Sequence, residues 1–163
     1  MNGLVDKYSW YKIGSSLLPS DLLAAILYGQ LERFDEIMDK RLHMWRAYND
    51  AFEPLEKDGL VKRPTVPNYA TINGHIFYIL LKDINERNAL LDYLRQNEIG
   101  ATFHYVPLHS APLGQEYGYK EGDLPLTEEY AGRLLRLPLH CHMSDEDVSL
   151  IVGKVKEFFS EKR

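Results

Sequence analysis

The chain has 163 residues, a formal net charge of -5, and 45% hydrophobic against 26% charged residues, which suits one globular domain able to bury a core and argues against extended disorder. No basic block offsets the acidic balance, so non-specific nucleic-acid binding lacks electrostatic support. The longest apolar run, residues 22–27, falls far short of the roughly 20 residues a membrane helix needs; no signal-peptide pattern is evident, and the single cysteine, Cys141, excludes an internal disulfide. A cytoplasmic protein without nucleic-acid or membrane partners is expected.

Residues 1–18 read as an extended segment and loop. Its group Gly14, Ser15, Ser16, together with Ser20, could cradle a phosphate at the start of the following helix, and fits equally a serine-rich turn with an N-cap. Pro19, Ser20 and Asp21 mark that helix start. Beyond them Leu22, Leu23, Ala24, Ala25, Ile26, Leu27, Tyr28 and Leu31 leave no broad polar face, so the helix requires cover on several sides. A second, amphipathic helix is predicted over residues 35–53, with Met38, Leu42, Trp45, Tyr48 and Phe52 on one stripe and Pro54 near its end.

After an irregular stretch, the apolar run 75–81 predicts a strand covered on both faces. Asp83 and Glu86 form a capping-box pattern opening a helix to about residue 97, with Ala89, Leu90, Tyr93 and Leu94 as its stripe. Residues 101–105 alternate as a second strand, 107–125 form a long proline- and glycine-rich loop, and Thr127 is expected to cap a short helix. Residues 135–139 predict a third strand, whose Pro138 suits a sheet edge. Ser144 and Asp147 start a last helix with Val148, Ile151, Val152, Val155, Phe158 and Phe159 on one face. Strands and helices in this order predict an α+β fold.

Candidate chemistry centres on histidine. His140, Cys141 and His142 lack the further spacing a closed zinc site needs, so no metal is expected. His104 and His109 in F-H-Y-V-P-L-H flank a strand end leading into a long loop, where ligand contacts and proton exchange near neutral pH are common. The phosphate-loop pattern and G-x-G-x-x-G are absent. The paired carboxylates Glu128 and Glu129 sit in a first helical turn and read as structural.

Taken together, Y-x-W-x-x-x-G-S-S-x-L-P-S-D-x-x-A-A-x-L over residues 8–27, Q-L-E over 30–32, R-x-x-x-W-x-x-Y-x-D over 41–50, G-H-I-F-Y-I from Gly74, F-H-Y-V-P-L-H from Phe103 and L-L-R-L-P-L from Leu134 resemble the DegT/DnrJ/EryC1/StrS family of pyridoxal-phosphate-dependent sugar aminotransferases. The likeness covers nearly the whole chain and matches the C-terminal portion of such an enzyme. It implies an α+β unit with a small antiparallel sheet of about three strands covered by helices, preceded by two long helices. Residues 1–34 match the end of a large domain otherwise missing, and 35–163 the small C-terminal domain. The implied function is transamination of a dTDP-4-oxo-6-deoxyhexose for cell-surface polysaccharide such as enterobacterial common antigen. The large domain carries the Schiff-base lysine, so the isolated chain is expected to be inactive and to bind no pyridoxal phosphate alone; no catalytic residue is assigned to it.

By the same resemblance Ser16 takes the place of the asparagine in the family's G-x-N-Y-R loop, which meets the cofactor phosphate of the partner subunit, while Leu17 and Leu18 replace its aromatic and arginine. His104, Tyr105 and His109 are implied on the substrate side, at the nucleotide-sugar end. Partners implied are a second copy meeting through residues 20–31, a separate large-domain polypeptide, and a nucleotide-sugar. The alternative is a non-catalytic dimerisation or nucleotide-sugar-binding module derived from that fold.

Overall fold

The computed structural model describes residues 19–161. Two consecutive helices, α1 (Asp21–Glu32) and α2 (Phe34–Lys57), lead into strand β1 (Phe77–Leu80), helix α3 (Ile84–Gln96) and the two-residue strand β2 (Thr102–Phe103). Helices α4 (Pro112–Glu116) and α5 (Pro125–Arg133), strand β3 (Leu134–Leu137) and helix α6 (Asp145–Glu161) follow. The three strands form one antiparallel sheet in the order β1-β3-β2, with Phe77 opposite Leu137 and Thr102 opposite Arg136. This is the α+β architecture expected, with helices packed on the sheet.

Local chemistry explains most boundaries. The Ser20 hydroxyl accepts from the Leu23 amide at 3.3 Å, capping α1. At α3, one carboxylate oxygen of Asp83 accepts from the amides of both Asn85 and Glu86 at 2.9 Å, while Glu86 reaches back to the Lys82 amide at 3.1 Å, one residue earlier than a standard capping box. At α6 the box is reciprocal: Asp147 N–H donates to the Ser144 hydroxyl at 3.2 Å, and Ser144 N–H donates to the Asp147 carboxylate at 2.9 Å.

Several elements differ from expectation. Helix α2 continues through Pro54 for a further turn, because proline removes a single amide from the ladder and the Asp58 amide still closes on the Pro54 carbonyl at 3.0 Å. Thr127 is no cap: α5 begins at Pro125, whose fixed φ suits the first helical position, and Leu124 precedes it without a side-chain bond. The third strand is the middle strand of the sheet, not an edge; it ends at Leu137, so Pro138 falls just outside the ladder it could not have joined. The long loop contains α4, and Ala89 of α3 is exposed while Arg87 and Leu91 of that helix are buried.

The core forms where α2, α3 and α6 meet one sheet face. Phe77 is fully buried, its ring stacked near those of Tyr48 and Phe52 at 5.0 and 5.9 Å and met edge-on by Trp45 at 5.5 Å. Leu90, Leu94, Leu135, Val155 and Phe158 complete it. Tyr48, wholly buried, donates its hydroxyl to the Pro138 carbonyl at 2.9 Å, which ties the end of β3 to α2. Burial pushes this phenol well above its ordinary value, so it remains a donor throughout the physiological range. Arg41 of α2 donates to the carbonyls of Gly74 and His75, and Gly74 adopts φ +58° where an added Cβ would stand 3.0 Å from the Arg41 backbone. Glycine is therefore needed where the chain enters β1.

Helix α1 contributes nothing to this core. None of its residues is buried, and Leu22, Tyr28 and Leu31 are 72%, 65% and 57% exposed. The cover its sequence demands is not supplied by the described residues.

Replacing Phe77 by alanine removes the ring around which three aromatics pack, and the expected cost is about 3–5 kcal/mol. Urea unfolding followed by far-ultraviolet circular dichroism checks this, with Y48F as a milder companion that loses only the bond to Pro138, about 1 kcal/mol.

Candidate functional site

Strand β3 brings a charged residue into an otherwise apolar run, L-L-R-L-P-L, and β-alternation sends that residue, Arg136, to the face opposite buried Leu135 and Leu137. Its cross-strand neighbours are Tyr78 on β1 and Thr102 on β2. Strand β2 stops after two residues, and the chain leaves the sheet through His104 and Tyr105, whose rings stack at 3.8 Å. One Arg136 guanidinium nitrogen reaches His104 Nδ1 at 3.1 Å and the Tyr105 hydroxyl at 3.5 Å. Guanidinium can only donate, so Nδ1 is the acceptor and the imidazole proton lies on Nε2. Burial pushes the His104 pKa down, and the charges of Arg136 and His75 push it in the same direction. The ring is thereby held as a neutral donor at its free nitrogen.

Tyr105 also forms one wall of a cleft of about 490 Å³ between α3, α5 and the segment after β2, with Arg87, Phe103, Ser110 and Glu128 around it. Arg87 is 8% exposed, donates Nε to the Gly132 carbonyl at 3.0 Å and lies over the Phe103 ring at 5.3 Å. Burial lowers its pKa.

His109 is placed differently from His104. It is 6% exposed, and its Nε2 meets a Glu128 carboxylate oxygen at 2.6 Å; the Gly122 amide donates to the same oxygen at 2.8 Å. The His109 bond, followed by the Gly122 amide, lowers the Glu128 pKa. Three segments are joined there: the strand exit, the loop around Gly122 and the first turn of α5. Gly114 permits the arrangement, since a Cβ at that position would lie 2.1 Å from the Leu108 carbonyl oxygen.

His104 and Tyr105 thus sit together between the cleft and Arg136, whereas His109 is turned inward as a fastening of the same loop. Ser16 lies outside the described residues. His140 and His142 are exposed after β3, with the His142 amide 3.3 Å from His140 Nδ1. Among the described residues no group of three His, Cys, Asp or Glu side chains could hold a metal ion. Sequence reasoning assigns no site role to Arg136 or Arg87 and reads Glu128 as structural, without its partner His109; the arginine inside an apolar strand is the available signal for the first, while Arg87 resembles an ordinary helix residue until the chain is folded.

The fold defines the class. It is that of part of an aminotransferase, superposing on TlmJ from Streptoalloteichus hindustanus with a TM-score of 0.75 at 29% identity, over 88% of this chain and 37% of that one. A DegT DnrJ EryC1 StrS aminotransferase from Brucella abortus gives 0.69 at 28% identity, over 83% and 34%. The DegT/DnrJ/EryC1/StrS aminotransferase family model matches residues 2–156, and the chain belongs to that family. Among curated relatives, an uncharacterized protein of Methanocaldococcus jannaschii is 32% identical over 95% of this chain and 42% of its own length. The spore coat polysaccharide biosynthesis protein SpsC of Bacillus subtilis is 30% identical over 91% and 40%. The chain therefore spans about 40% of the length of these relatives.

The family is pyridoxal-phosphate-dependent. The described residues around His104 and Tyr105 do not fit that group as a covalently held cofactor, because among them no lysine lines the cleft beside Tyr105 or the smaller one beside Arg136.

Because the Glu128 carboxyl is stronger folded than free, its contribution to stability is complete above the ordinary carboxylate range and is lost as pH falls through its lowered folded value. Urea midpoints measured from neutral pH into the acid range should fall less steeply for E128Q than for the wild type, and the variant should be the less stable of the two at neutral pH.

Proposed function

We infer that the chain is the C-terminal part of a pyridoxal-phosphate-dependent nucleotide-sugar aminotransferase, acting on a dTDP-4-oxo-6-deoxyhexose in cell-surface polysaccharide synthesis. In this reading residues 1–34 close a large domain that carries the cofactor lysine, and 35–163 form the small domain. The observation that supports it best is the family match over residues 2–156 by a chain equal to only about two fifths of its relatives. One relative is a GDP-perosamine synthase of Escherichia coli O157:H7, at 24% identity. Another is a dTDP-4-dehydro-2,3,6-trideoxy-D-glucose 4-aminotransferase of Saccharopolyspora spinosa, at 25%. Both names specify nucleotide-linked sugars.

Within that enzyme His104 and Tyr105 face the nucleotide-sugar end, with the imidazole offering Nε2–H to an oxygen of the substrate. His109 supports them from behind through Glu128. Ser16 meets the cofactor phosphate held by a partner subunit, in a cytoplasmic homo-oligomer.

The chain alone is expected not to transaminate. Pyridoxal phosphate added to it should give no visible-absorbing internal aldimine, and borohydride should fix no pyridoxyl group at a single lysine. A stoichiometric, site-specific adduct would overturn the assignment of the lysine to a missing domain.

The bare face of α1 leads to a second expectation. Leu22, Leu23, Ile26, Leu27, Tyr28 and Leu31 are each more than half exposed on one helix, a patch that water does not tolerate well. The isolated chain should self-associate through residues 20–31. Sedimentation velocity at micromolar concentration should show a dimer or larger, reduced to monomer by I26E combined with L27E; a monomeric wild type counts against the interface.

A further inference from the structure

Among the described residues Arg136 is a cation without an anion. Its hydrogen-bond partners there are His104 Nδ1 and the Tyr105 hydroxyl, both neutral groups, and none of the ion pairs between described residues includes it. Arg63, Arg133 and Arg33 differ, each being bound to a glutamate. Arg136 is half-buried on the middle strand, where Tyr78 and Thr102 flank it in register, and a partly desolvated guanidinium gains more from an anionic partner than a fully hydrated one does.

A second cleft opens at this point. It has a volume of about 230 Å³ and is bounded by His75, Gly100 and Arg136 with the chain just after β3. The His75 ring has no hydrogen-bond partner among the described residues and is near enough to His104 for their charges to interact. Among the described residues no carboxylate lines the cleft. The stacked His104 and Tyr105 rings lie next to it, sharing the Arg136 guanidinium.

We propose that Arg136, with the imidazoles of His75 and His104 beside it, forms an oxyanion subsite at the end of the sheet, taking a diphosphate or carboxylate group of a ligand that lies against Tyr105. Arg136 supplies the charge and the fork geometry suited to two oxygens. His104, fixed by Arg136 with its proton on Nε2, supplies a neutral donor, and His75 a third polar contact from β1's approach. The place of this subsite in a sugar aminotransferase rests on the proposed function; the anion chemistry itself does not.

The test is calorimetric titration of the full chain with inorganic pyrophosphate at constant ionic strength, paired with NMR spectra of the histidine rings. Saturable binding is expected, with saturable shifts at His75 and His104. R136Q should weaken it about tenfold or more while leaving the circular dichroism spectrum unchanged, R136K should weaken it less, and R46Q, at an exposed arginine elsewhere on α2, should leave it unaltered. Parallel titrations with dTDP and with glutamate separate the sources: tighter dTDP assigns the subsite to a nucleotide diphosphate, tighter glutamate to an amino-donor carboxylate. Non-saturating titration of the wild type, shifts confined to other residues, or wild-type affinity in a folded R136Q overturns the proposal. Pyrophosphate requires neither cofactor nor a further domain, so failure here leaves the aldimine experiment standing, and an unexpected aldimine leaves this result standing.

Discussion

The stacking of Phe77 among Trp45, Tyr48 and Phe52 is the contact on which the other placements depend. It fixes β1 against α2, and side-chain alternation then leaves no choice of register: a slip of one residue would put Phe77 and Ile79 into solvent. β1 in turn aligns β3, opposing Phe77 to Leu137 and Tyr78 to Arg136. β3 aligns β2, and the Tyr48 hydroxyl secures the far end of β3 at Pro138. The position of Arg136 beside His104 is thus a consequence of core packing on the other face of the same strands. A sheet this small has few ladder bonds of its own, so its stability comes from the aromatic face and from the helices behind it.

Much of this was legible in the residues. The apolar run into β1, the stripe of α6 and the Ser144–Asp147 box are local signals, and local signals suffice where propensity, pattern and caps agree. What could not be read required pairing information. Pro138 suggests an edge strand to anyone who sees only the strand, because proline cannot serve a ladder; the strand instead stops one residue earlier and occupies the centre. Thr127 is a favourable cap by residue type, yet Pro125 opens the helix before it. At the site, His104 and Tyr105 stood out through their place at a strand end, but their partner Arg136 is 32 residues from His104 and becomes a neighbour only through the β2–β3 register. Glu128 looked like a carboxylate favoured by a helix dipole, and its bond to a buried histidine 19 residues away is invisible without the fold.

Helix α1 presents the reverse case, in which the sequence asks for more than the described fold provides. A helix with no broad polar face belongs inside a larger body, and here its side chains are exposed throughout. The family supplies a physical context for that mismatch, since relatives are more than twice as long as the segment they share with this chain. The core beneath β1 needs nothing from α1. Among the described residues the apolar face at the N-terminal side and the cation at the sheet end are therefore separate unmet demands, one for hydrophobic cover and one for charge.

The two histidines of F-H-Y-V-P-L-H show how one short motif divides its work. They are five residues apart, but the partner each acquires has the opposite sign. His109 turns inward to a carboxylate, and the bond, reinforced by the Gly122 amide, fastens the loop that leaves β2. His104 stays at the surface of the sheet against a guanidinium, which occupies its Nδ1 and disfavours the imidazolium. Had the partners been exchanged, the ring at the strand end would carry positive charge beside its carboxylate and would offer no vacancy for a ligand's anion. With the cation on Arg136 and the ring neutral, the positive charge stays at a fork that can bind two oxygens, and the histidine remains a directional donor next to it. The loop is held by one histidine so that the other can be positioned by the sheet.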